Sequence, residues 1–172
     1  GMRIESLSIV PMLAMGNAMS TFTAQNMGAG KIDRVKEGYR MCYVIVLTAG
    51  AVLCVMYQLA GGAFVSLFLD SGSSEAYSVG LSYVKFLSFF YSFIGLKAST
   101  DGLLRGAGDV TAFTVANLVN LAIRVSVTNL FAPVYGIQVA WMAVPLGWAA
   151  NYVISFGWYL TGKWKKVRVI KK

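Results

Sequence analysis

The chain has 172 residues, 57% apolar and only 13% charged, about half the charged fraction of a soluble domain, so lipid is the expected solvent. Its formal net charge is +8, but most of the basic residues lie in two clusters beside apolar runs, residues 31–40 and 163–172; that pattern marks a cytoplasmic membrane face and argues against nucleic acid as a partner. There are no histidines, which excludes imidazole metal sites and histidine-based triads, and Cys42 and Cys54 fall on one helix about 18 Å apart, too far for a disulfide.

Five apolar segments follow one another, each holding about the 20 residues that cross a bilayer as helix. They are residues 4–27 (span A), 35–59 (span B, with a short apolar tail at 63–69 after Gly61-Gly62), 76–104 (span C), 110–131 (span D) and 137–161 (span E). Strict alternation of apolar and polar residues is absent, so a β-barrel is not expected. The expected fold is all-α, a polytopic membrane bundle of about five transmembrane helices. The A–B loop carries Lys31, Arg34, Lys36 and Arg40, the C–D loop Arg105, and the tail, residues 162–172, six basic residues; the B–C loop, residues 70–75, and the D–E loop, residues 132–136, carry none. This alternation places A–B, C–D and the C-terminus in the cytoplasm, and residue 1 outside. A chain that starts outside with no cleavable signal is expected to be the middle of a longer protein.

In span A, Asn17, Thr21 and Gln25 recur every fourth residue and form a polar stripe, while Ser20, Ala24 and Gly28 form a neighbouring seam of small residues. Pro11 frees a backbone carbonyl and is a candidate helix break, tolerated in lipid where protein or a wet cavity satisfies it. The stripe either packs against another helix or lines a cavity. Span C carries a second small-residue seam, Ser88, Ser92, Gly95, Ser99 and Gly102, and a charged run, Lys97, Asp101 and Arg105, in which Asp101 can pair with either base. Lys85, in the outer half of that span, is expected to lay its stem along apolar surface and reach the interface.

Span D places Thr114, Asn117, Asn120, Arg124 and Thr128 on one broad face. A central arginine costs about 2.5–3.5 kcal/mol on insertion scales, so Arg124 is expected to point into the bundle, toward a carbonyl, water or an acid of another segment. Its role is either functional or a structural pairing. Span E contains Pro145, a second candidate break, and a run of aromatics. Trp158, Tyr159 and Trp164 are expected as interface anchors, and Trp141 and Trp148 as packing residues on one face.

No nucleophile elbow, zinc-binding helix, phosphate-binding loop or carboxylate pair within a span occurs, so no catalytic or metal-binding residue is expected. Gly28-Ala29-Gly30 and Gly106-Ala107-Gly108 read as helix ends and tight turns, and their recurrence hints at an internal repeat.

At these residues the chain resembles a family. Arg3-Ile4-Glu5, Pro11 and the run S-T-F-T-A-Q-N-M-G-A-G-K-I-D-R, residues 20–34, resemble the eighth helix and following loop of the multidrug and toxic compound extrusion (MATE) transporters. L-L-R-G-A-G-D, residues 103–109, resembles the end of the family's tenth helix; Asn120 to Arg124, Gly136, Val139-Ala140-Trp141 and Pro145 resemble helices eleven and twelve.

The resemblance covers nearly the whole chain. It implies helices eight to twelve of a twelve-helix transporter with two six-helix lobes and a central cavity. The function it implies is export of cationic or amphipathic small molecules against Na+ or H+, in the plasma (inner) membrane, with the missing N-terminal lobe as partner and no cofactor. Where one branch of the family carries an acid midway along the tenth helix, this chain has Ile94, which cannot bind a cation; either coupling depends on an acid outside this chain, in the N-terminal lobe, as in the family's other branch, or this protein couples differently. The alternatives are a lipid-linked saccharide flippase of the same superfamily, which calls for more basic cavity residues than Arg124 alone, or a structural membrane subunit without substrate.

Overall fold

In lipid a long apolar run satisfies its own backbone only as a helix, and all five expected segments are helical. The computed structural model describes residues 2–67 and 74–166. These form α1 (Met2–Gly28), α2 (Ile32–Ser66), α3 (Ser74–Ser88), α4 (Tyr91–Gly106), α5 (Val110–Tyr135) and α6 (Ile137–Leu160), followed by a 3-10 turn at Lys163–Lys166. Residue 1, most of the expected loop at 70–75 and the tail beyond Lys166 lie outside the described residues. By length and composition three of the helices can cross a membrane, or four if the bent pair α3–α4 is one span. α1, which carries Asn17, Gln25 and Asn26, is not among them.

Three boundaries differ from expectation. Gly61-Gly62 does not interrupt span B; α2 runs through to Ser66. The two glycines instead let α3 come close: a Cβ on Gly61 would stand 3.2 Å from Leu81 Cδ1 and 3.6 Å from Lys85 Cε, and Tyr77 donates to the Gly62 carbonyl at 3.1 Å. The Lys85 stem thus lies over Gly61.

Span C is not one helix but two, bent by 53° between Ser88 and Tyr91. No glycine or proline causes the bend. Gln58 of α2 donates its amide to the Lys85 carbonyl at 3.0 Å and to Ser88 Oγ at 3.1 Å, and Ser88 Oγ reaches the same carbonyl at 2.7 Å. These bonds add side-chain donors from α2 to the last turn of α3, next to the bend. Pro11 and Pro145, expected as breaks, sit inside α1 and α6, which continue through them.

α4 is the strut of the bundle. Ten of its 16 residues are buried, among them Tyr91, Ile94, Leu103 and Leu104. Its small residues divide between two neighbours. Gly95 and Ser99 face α2, where a Cβ on Gly95 would stand 2.8 Å from Val46 Cβ and where Ser99 Oγ lies 3.1 Å from Cys42 Sγ. Gly102 and Gly106 face α1 so closely that added Cβ atoms would stand 2.1 Å from the Gly16 carbonyl oxygen and 2.2 Å from that of Ser20. The seam on α1 is therefore Gly16 and Ser20. The expected Ser20/Ala24/Gly28 row is not used beyond Ser20: Ala24 is exposed and nothing lies within 4 Å of a Cβ on Gly28.

Of the expected interface anchors, Trp158 and Tyr159 are half-buried and Trp164 turns inward. Trp164 is buried, with its indole N–H on the Tyr159 carbonyl at 3.0 Å, and Tyr159 stacks on it. Trp148 is buried and Trp141 meets Tyr83 edge-on at 5.3 Å, which are packing roles.

Trp158 donates its indole N–H to Asp109 Oδ2 at 2.7 Å, and Asp109 Oδ1 accepts the Ala112 N–H as N-cap of α5. Asp109, the last residue of L-L-R-G-A-G-D, thus ties the start of α5 to the end of α6. Tyr39 meets Tyr159 at 4.6 Å, so the start of α2, the α4–α5 turn and the end of α6 share one end of the bundle. Asp109→Ala is expected to lower stability by about 1–2 kcal/mol through loss of the cap and the indole bond, and Trp158→Phe by less. Thermal unfolding of the purified protein checks this; an Asp109→Ala protein as stable as the parent would remove the tie.

Candidate functional site

Where α4 passes between α1, α5 and α6, polar side chains from all four helices meet. Asp101 is buried one turn before the end of α4's apolar stretch. Lys97 Nζ donates to Asp101 Oδ2 at 2.9 Å and to Asn117 Oδ1 of α5 at 3.1 Å; the Asn117 amide nitrogen also contacts Asp101 Oδ2 at 3.3 Å. From α6, Ser155 Oγ donates to Asp101 Oδ1 at 2.7 Å. A buried charge persists where it is paired and its lone pairs are engaged. Asp101 meets both conditions, with three donors from three helices.

The position of each group follows from the local helix. Lys97 and Asp101 are four apart on α4, and Asn117 sits on the α5 face that meets them. Ser155 and Asn151 are likewise four apart, on the face of α6 that packs against α4, and both are fully buried. Sequence reading missed Asn151 and Ser155. The signal was there: two polar residues one turn apart in an otherwise apolar helix. Ser155 Oγ also lies 3.4 Å from Asn151 Oδ1, a second and longer acceptor for its one proton.

Arg105 does not pair with Asp101. It reaches across to α1, with Nη2 on Asn17 Oδ1 at 2.7 Å and Nε toward Ser20 Oγ at 3.4 Å, and its guanidinium lies over the Phe113 ring at 5.7 Å. Between these groups is a cavity of about 300 Å³ whose wall includes Asn17, Lys97, Asp101, Arg105, Phe113 and Asn117.

Of the stripe on span A, only Asn17 belongs to this cavity. Thr21 is exposed and donates to the Asn17 backbone carbonyl at 3.3 Å, and Gln25 is exposed. The stripe on span D also divides. Asn117 joins the ion pair, whereas Asn120 is buried against Gly147 of α6, 2.3 Å from where a Cβ there would stand. Arg124 lays Cγ and Cδ over the same glycine, and the residue is exposed. Among the described residues no carboxylate pairs with Arg124, and no group of histidine, cysteine and acidic side chains could hold a metal ion.

With this geometry in place, comparison with known proteins is informative. A family model described as MatE matches residues 1–144. The chain is 28% identical over 168 residues to "Probable multidrug resistance protein YpnP" of Bacillus subtilis (strain 168), covering 97% of this chain and 37% of that protein. It is 21% identical over 181 residues to "Probable multidrug resistance protein NorM" of Thermotoga maritima, covering 100% of this chain and 37% of that protein. Among solved structures it is similar to one described as the inward-facing conformation of a multidrug resistance MATE family transporter of the MOP superfamily, with a TM-score of 0.77 and 19% identity over 98% of this chain and 37% of that one. The chain thus spans a little over a third of the length of the proteins it matches.

Proposed function

The chain belongs to the MatE family, and from that premise we propose that residues 1–172 form most of the C-terminal lobe of a multidrug exporter, with residues 162–172 as a cytoplasmic tail. The partner is an N-terminal lobe of the same protein, and the setting is the plasma (inner) membrane. The substrate is a cationic or amphipathic small molecule, exported in exchange for Na+ or H+; Ile94 in place of an acid supports a coupling site elsewhere in the protein. The observation that carries the reading is the cavity beside Asp101, walled by three helices and kept polar by an ion pair that a packing-only bundle would not need. Clustering of the basic turns at one end of the bundle supports the cytoplasmic assignment of that end.

The test is transport by the full-length protein in proteoliposomes under an imposed Na+ or H+ gradient. Gradient-driven movement of an amphipathic dye is expected, while the 172-residue chain alone moves none, since it lacks the partner lobe. Absence of movement under either gradient, with correctly inserted protein, would contradict the transport reading.

A further inference from the structure

The resemblance implies cationic or amphipathic cargo, and the cavity wall distinguishes between the two. It carries two cations, Lys97 and Arg105, against one carboxylate, which leaves one positive charge in excess. The hydrogen-bond inventory points the same way. An ammonium has three donors and a guanidinium five. Lys97 uses two, on Asp101 and Asn117, and Arg105 two, on Asn17 and Ser20. Both keep donors to spare. Each acceptor beside them already takes at least one hydrogen bond, and Asp101 Oδ2 takes two. Phe113 and Leu13 add apolar surface to the same wall. A wall with spare donors on two cations and one positive charge in excess disfavours a cation and pairs an anion.

We propose that the cavity between α1, α4 and α5 binds an oxyanion, carboxylate or phosphate, carried on an apolar body, with Arg105 and Lys97 as its donors. This rests on the transport reading and narrows its substrate class. The volume, about 300 Å³, is at the lower end of ligand pockets, enough for a head group with the adjoining part of its tail. Arg105 is the principal donor because its guanidinium is planar, partly exposed and already aimed by Asn17.

The experiment compares two dyes built on one xanthene ring system, fluorescein (an anion) and rhodamine 6G (a cation), by fluorescence anisotropy on the full-length protein in detergent. Fluorescein is expected to bind about tenfold more tightly, the scale of one charge-assisted hydrogen bond. Arg105→Gln should remove most of that preference, and Arg105→Lys, which keeps the charge, should hold it within about threefold. If Arg105→Gln does not fold, the parent protein and Arg105→Lys still decide. Rhodamine 6G binding as tightly as fluorescein, or fluorescein binding untouched in a folded Arg105→Gln protein, overturns the proposal. Displacement of fluorescein by geranyl phosphate assigns the anion to a prenyl-phosphate head group; displacement only by benzoate assigns it to a soluble carboxylate. Failure of the transport reading looks different: neither dye then crosses the membrane under any gradient, whichever one binds.

Discussion

Gly102→Ala is expected to destabilise the protein by about 3 kcal/mol, the upper end of what overpacking costs, although alanine is the better helix former. The added Cβ would stand 2.1 Å from the Gly16 carbonyl oxygen and 3.2 Å from its Cα. These are backbone atoms in the middle of α1, so no rotamer change relieves the clash. The two helices must separate, and in lipid their attraction is mainly close packing, which falls steeply with distance. Separation also stretches the Arg105–Asn17 bond that spans the same crossing. Gly157→Ala on α6 is the control, since nothing lies within 4 Å of its added Cβ; it should be neutral or mildly stabilising. Thermal unfolding and the monodisperse fraction after purification measure both. Equal stability of the two variants would mean that α1 and α4 do not cross at Gly16 and Gly102.

That crossing shows how far the sequence can be read. The apolar segments, their helical state and the basic turns were legible because each is local: about 20 residues of apolar side chains, or a cluster of lysines beside one. The seams were legible only as types. α4 carries small residues on two faces, Gly95 and Ser99 toward α2 and Ala98, Gly102 and Gly106 toward α1, and periodicity alone does not say which neighbour takes which row. The bend before Tyr91 was not legible, because the contacts that brace it come from Gln58, 27 residues before Lys85, whose amide donates to the Lys85 carbonyl. The partner of Asp101 was left open between Lys97 and Arg105. Helix electrostatics favours an acid placed N-terminal to its base, which points to Arg105. The fold chose Lys97, because Ser155 turns the carboxylate toward α6 while Asn17 draws the guanidinium to α1. Both choices depend on contacts between distant segments.

Asp101→Ala is expected to cost about 3–5 kcal/mol, the range for breaking a buried pair by removing one partner. It leaves the Lys97 ammonium with Asn117 alone and Ser155 with only its 3.4 Å contact to Asn151 Oδ1, all within the bundle. Asp101→Asn keeps the shape and the Ser155 bond but sets an amide donor against the donors of Lys97 and Asn117, so it should remain clearly destabilising. Lys97→Gln alone leaves the carboxylate uncompensated and should be comparable. The double variant Lys97→Gln/Asp101→Asn removes both charges and puts an amide pair in their place, and it should be more stable than the sum of the single losses predicts, by about 1–3 kcal/mol. Unfolding of the four proteins under one set of conditions gives this coupling directly; strict additivity would mean that the pair is not formed. The same double variant separates folding from binding. It leaves Arg105 and the one excess positive charge of the cavity wall in place, so fluorescein should bind it better than it binds Arg105→Gln. If the double variant recovers stability and loses the anion as completely as Arg105→Gln does, the two cations are needed equally and Arg105 is not the principal donor.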